Sequence, residues 1–157
     1  MKLSRLVIAA VAVVAFGACE SNPDRKGPTR SENASKFNTQ LGVNYMQQGN
    51  LALAQEKLER ALKQNPKDPN VHLSLAVLNE RLGEAKRADT FYRNALRLAP
   101  ESPEVSNTYA VYLCKSNRVD EGVKRFDEVA ANRLYRSPEV ALTNAGVCLR
   151  KIGRAHV

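Results

Sequence analysis

Two consecutive blocks of 34 residues, Ser35–Asp68 and Pro69–Ser102, carry the same landmarks in the same places. Gly49 falls on Gly83, Ala54 on Ala88, Leu58 on Tyr92, Ala61-Leu62 on Ala95-Leu96, and Pro66 on Pro100. Each landmark has a physical reason. Gly49 and Gly83 suit a left-handed residue that ends a first helix, because glycine has no Cβ to clash. Ala54 and Ala88 are small enough to let two helices approach closely. Leu58 and Tyr92 are bulky enough to fill the space between one unit and the next. Pro66 and Pro100 stop a second helix, since proline lacks the N–H that would continue it.

This period, with small, aromatic and proline residues in these slots, resembles the tetratricopeptide repeat, a helix–turn–helix unit. The resemblance implies an all-α fold, a right-handed solenoid of antiparallel helix pairs. In such a fold the core lies between neighbouring repeats, so chain length sets repeat number. Residues 35–68 are read as the first repeat, with helices near Ser35–Gln48 and Leu51–Gln64. Phe37, Leu41, Val43, Tyr45 and Met46 are the expected packing residues of its first helix. Residues 69–102 form the second repeat, with helices near Pro69–Leu82 and Glu84–Leu98. Asn79 stands where the first repeat has Tyr45. Residues 103–137 are a degenerate third unit with helices over Pro103–Ser116 and Val119–Ala131. Phe126 and Ala130 keep their slots there, Gly122 replaces the alanine, and Asn117 replaces the turn glycine. Residues 138–151 read as the first helix of a fourth unit, offset by two residues, with Gly146 in its close-packing slot.

The start of the chain reads as a targeting segment. Lys2 and Arg5 precede an apolar run, Leu6–Phe16, that is too short to span a bilayer as a helix. Gly17 and Ala18 are small and Cys19 follows directly. Ala15-Phe16-Gly17-Ala18-Cys19 resembles the bacterial lipoprotein cleavage box, with Phe16 departing from the usual aliphatic residue. The resemblance implies a signal peptide over 1–18 and acylation of Cys19, palmitate among the acyl groups. Several acyl chains give stable membrane attachment. Glu20 follows the cysteine where aspartate would favour inner-membrane retention, so an outer-membrane destination is expected. Residues 19–34 hold prolines, charges and no large apolar side chain, and are expected to form a flexible tether. Residues 152–157 resemble translated sequencing adapter, so the natural protein is expected to be longer.

The formal net charge is +8 in 157 residues, but acids and bases are interleaved throughout. A phosphate-binding surface needs clustered cations, so a nucleic-acid partner is not expected. The two histidines, His72 and His156, have no cysteine or carboxylate at metal-ligand spacing. There is no phosphate loop and no nucleophile elbow. No catalytic residue, metal, cofactor or small-molecule substrate is expected. Cys114 and Cys148 lie 34 residues apart, late in the first helices of successive units. In an exported chain they suit a disulfide, the alternative being two small buried thiols.

The leader, Cys19, Asn65-Pro66, Tyr109-Ala110-Val111-Tyr112-Leu113-Cys114 and Asn144-Ala145-Gly146-Val147-Cys148 occur together. This combination resembles the PilW/PilF family of type IV pilus biogenesis and stability proteins. The resemblance implies a pilotin that brings the secretin subunit to the outer membrane and promotes its assembly. A generic scaffold lipoprotein for envelope assembly or cell-wall enzymes is the other reading. Tetratricopeptide solenoids hold partner segments on a concave face lined by the first helix of each pair. By spacing, Thr39, Val43, Met46, Leu73, Val77, Asn107 and Val111 are expected to line that groove.

Overall fold

The computed structural model describes residues 27–133 and 135–155, with the side chains of 151–155 left aside. The expected signal peptide and Cys19 lie outside the described residues. Seven helices follow one another among them: α1 (Arg30–Gln47), α2 (Leu51–Gln64), α3 (Pro69–Arg81), α4 (Ala85–Leu98), α5 (Pro103–Lys115), α6 (Val119–Ala131) and α7 (Pro138–Ala155). Described residues outside these helices form only turns, bends and loops.

The turns explain why the pairs are so regular. Gly49 has φ +77° and Gly83 φ +75°. After α1 the Gly49 N–H reaches the Met46 carbonyl and the Asn50 N–H reaches the Tyr45 carbonyl. This reciprocal closure satisfies carbonyls that the helix end would leave bare. Gly83 and Glu84 repeat it on Glu80 and Asn79, and Asn117 and Arg118 on Cys114 and Leu113. Asn117 sits at φ 63°, so it does replace the glycine, as asparagine tolerates this region. Starts are equally defined. Asp68 and Ser102 cap α3 and α5, each with proline at the first helical position.

The first helix begins at Arg30, ahead of the expected Ser35, so residues 30–34 are helical and not tether. Thr29 Oγ1 accepts from the Glu32 N–H, while Glu32 Oε2 accepts from the Thr29 N–H at 2.7 Å. This capping box satisfies two donors at once. The added turn is also docked: Ser31 Oγ donates to the Gln64 carbonyl at 2.8 Å, and Ser35 Oγ to the Ala61 carbonyl at 2.9 Å.

Helices pair in order, α1 with α2, α3 with α4, α5 with α6, and α7 rests on α6 and α5. Three apolar clusters run along the stack, one around Leu58 and Leu75, one around Tyr92 and Tyr109, one around Phe126 and Ala141. Small residues mark the close approaches. A Cβ on Gly42 would stand 2.6 Å from Leu58 Cγ. Ala54, Ala76, Ala88 and Ala110 are fully buried.

Several details differ from expectation. Phe37 is 62% exposed, because among the described residues no helix precedes α1 to cover the position that Val71 and Val105 bury in later units. Val129, not Ala130, fills the slot of Ala61 and Ala95: it is buried and Ala130 only partly so. The fourth unit is offset by one residue, not two, since Pro138 follows Pro103 by 35. The small residue buried at that slot of α7 is therefore Ala145, and Gly146 faces open space. Asn79 is buried and donates to the Leu75 carbonyl, leaving its Oδ1 without a partner. His72 is buried too, held through Nε2 by the Pro66 carbonyl at 2.9 Å.

Candidate functional site

The first helices of successive units, α1, α3, α5 and α7, supply the expected groove residues. Their placement is uneven. Val43, Leu73, Val77 and Val111 are half-buried, each resting one side on a core cluster and presenting the other. Thr39 is half-buried with its hydroxyl donated to the Ser35 carbonyl at 2.8 Å. Met46 is only 4% exposed and packs within the first cluster. It belongs to the core and is withdrawn from the face, because side chains of α2 and α3 pack over it. Asn107 Oδ1 accepts from Asn144 Nδ2 at 3.3 Å, which joins α5 to α7.

Val77 and Val111 come together. They line an open depression of about 240 Å³ between α3 and α5, with Glu80, Arg81, Tyr92 and Lys115 around them. Val111 also lines a second depression of about 150 Å³ between α5 and α7, floored by Phe126 and the Cys114–Cys148 pair. Sequence reasoning missed Glu80, Arg81 and Lys115. The signal was there: Arg81 and Lys115 recur one period apart in the last turn of successive first helices, with Glu80 beside Arg81.

These charged groups are organised. Lys115 Nζ meets Glu80 Oε1 at 2.7 Å, and Tyr92 donates its hydroxyl to Glu80 Oε2 at 2.9 Å. Arg81 Nη1 donates to the Met46 carbonyl at 2.7 Å. Burial, reinforced by the Glu80 carboxylate, pushes the Tyr92 phenol far above its ordinary range. Deeper, Tyr109 donates to Asp89, which also receives Arg118 Nη1 at 2.7 Å. Burial first, and then the Asp89 bond, push the Tyr109 phenol up as well. Tyr92 stacks on Tyr109 with ring centroids 5.4 Å apart. The second and third units are thus joined by an aromatic layer whose hydroxyls are all paired, since Tyr112 donates to the Ala85 carbonyl. Rigid side chains therefore support the depression beside it.

The sulfurs of Cys114 and Cys148 are joined as a disulfide with Cα atoms 5.6 Å apart. Among the described residues no cluster of His, Cys, Asp or Glu could hold a metal ion. What the face offers chemically is apolar pockets, paired charges and side-chain amides, a surface for another polypeptide.

Residues 39–103 match the tetratricopeptide repeat family. The chain is 31% identical over 128 residues to the type IV pilus assembly protein PilF of Pseudomonas aeruginosa, covering 82% of this chain and 50% of that protein. A solved structure of Pseudomonas aeruginosa PilF superposes with a TM-score of 0.74 at 30% identity, over 80% of this chain and 56% of that one. The crystal structure of PilW, a widely conserved type IV pilus biogenesis factor, superposes with a TM-score of 0.71 at 34% identity, over 76% and 55%. The chain thus spans about half the length of these relatives. By sequence and by fold, it is a tetratricopeptide-repeat protein homologous to the type IV pilus biogenesis factors PilF and PilW.

Proposed function

We propose that this chain is part of a non-enzymatic pilotin, an outer-membrane lipoprotein anchored through acylated Cys19 at the periplasmic face. It binds the type IV pilus secretin subunit on the concave face and promotes its outer-membrane localisation and assembly. The observation that carries this reading is the likeness to PilF over four-fifths of the chain and to PilW over three-quarters of it. The half-exposed Val77 and Val111, held over paired charges, support it as the surface such a partner would use. Exposed apolar surface on a rigid scaffold is what polypeptide partners occupy.

Deleting the gene tests it. The expected outcome is lost twitching and scarce secretin multimers in the outer membrane. Normal multimers with altered cell shape would instead point to a scaffold for envelope assembly.

A further inference from the structure

Beyond the identity of the partner, the face carries a pattern that restricts what can sit on it. Arg81, Lys115 and Arg150 are each the thirteenth residue of α3, α5 and α7. All three are exposed, and Lys115 keeps 62% of its side chain in solvent even while it meets Glu80. By register they hold equivalent positions in three successive first helices, and Arg81 and Lys115 line the same depression beside Glu80. At the other end of these helices, the first turns of α5 and α7 carry Glu104 and Glu139. Val111 and Lys115 of α5 line both depressions. The α5 ridge separates adjoining pockets, which lie about 8–10 Å apart if the helices stack at the usual interaxial distance.

An extended polyproline-type segment rises about 3.1 Å per residue and returns to the same face every third residue, so its side chains i and i+3 stand about 9 Å apart. That matches one pocket to the next. An extended backbone, unlike a helix, arrives with bare N–H and C=O groups. The Asn107–Asn144 pair beside the second depression supplies amide donors and acceptors for them. The intervening side chains then meet these cations.

We propose that α3, α5 and α7 form a subsite for an extended segment with an apolar residue at every third position and acidic residues between, its acids facing Arg81, Lys115 and Arg150. This deepens the pilotin reading and rests on its assignment of this face to a partner polypeptide. The occupant is a protein segment; a helical guest would not need the amide pair.

The test uses the full chain with two fluorescein-labelled peptides, a Leu-Asp-Pro repeat and a Leu-Lys-Pro repeat. The acidic peptide is expected to bind about tenfold tighter at low salt, and the difference to shrink as salt rises. The variant R81Q/K115Q/R150Q alters only exposed side chains and is expected to erase that preference while its helical circular dichroism is unchanged. Val111→Ala is expected to weaken both peptides, since it removes apolar wall that both pockets share. Equal affinity for the two peptides, no binding of the acidic one, or an undiminished preference in the triple variant would each overturn the subsite. The pilotin reading fails separately: normal secretin multimers in the deletion strain sink that reading and leave a measured peptide preference standing.

Discussion

The sulfur of Cys114 lies directly over Gly122, so that a Cβ at 122 would stand 2.5 Å from it and 3.0 Å from the Ala110 carbonyl. Glycine inside α6 is unfavourable for the helix taken alone, by about 1 kcal/mol relative to alanine. Here it is what allows α6 to approach α5 closely enough for Cys114 to be enclosed. Gly122→Ala is therefore expected to lower stability by about 1–3 kcal/mol, overpacking outweighing propensity. Thermal unfolding with and without reductant checks this. The penalty should shrink once the sulfur is free to rotate, and a higher melting temperature in the oxidised variant would contradict it.

Cys114→Ser is expected to cost about 2–4 kcal/mol through loss of the cross-link. The bond spans a separation of 34 residues and ties α5 to α7. Mass spectrometry of the exported protein, alkylated without reductant, should show neither Cys114 nor Cys148 modified. Two alkylated thiols would show that the cross-link is absent from the exported protein.

Stability should fall above pH 10. The Tyr92 and Tyr109 phenols are pushed up from the ordinary value of 10.0, by burial first. Below that pH both the folded and unfolded chains keep them neutral, so the contribution is whole. As pH rises past 10 the unfolded chain ionises first, and stability is lost progressively toward the raised folded values. Denaturant midpoints between pH 8 and pH 11.5 measure the slope. The double substitution Tyr92→Phe and Tyr109→Phe should flatten it; an unchanged slope would place the alkaline loss elsewhere.

Thr29→Ala should shorten α1. It removes the acceptor for the Glu32 N–H, at a cost of about 1 kcal/mol. Amide exchange at residues 30–34 is expected to quicken while exchange in α3 is unaffected. Undisturbed protection at 30–34 would mean that the Ser31 and Ser35 bonds to α2 hold the turn by themselves.

On the proposed lipid anchoring, Cys19→Ser leaves the protein without acyl chains. Fractionation of the envelope is the measurement, and the variant is expected in the soluble periplasmic fraction. Continued sedimentation with outer membranes would mean that lipid is not the anchor.

The repeat period, the turn residues and the proline stops were all legible in the sequence, because each is a local requirement. A left-handed residue must be Gly49, Gly83 or a tolerant Asn117, and a helix must end where a proline blocks it. Such constraints act within a few residues and leave a fixed trace. The Thr29-x-x-Glu32 box was equally local, and was overlooked because the surrounding composition resembles a tether. What only the tertiary structure decided is which side of each helix is covered. Met46 and Phe37 share one helix and similar character, yet Met46 is sealed beneath α2 and α3 while Phe37 stays exposed, with no described helix ahead of α1 to cover it. Gly146 and Ala145 differ by one position, and the register of α7 on α6 selects Ala145. The cost or benefit of Gly122 depends on a sulfur brought over it by another helix. Burial and register are set by the stacking of whole units, and that information is spread across pairs of helices distant in the chain.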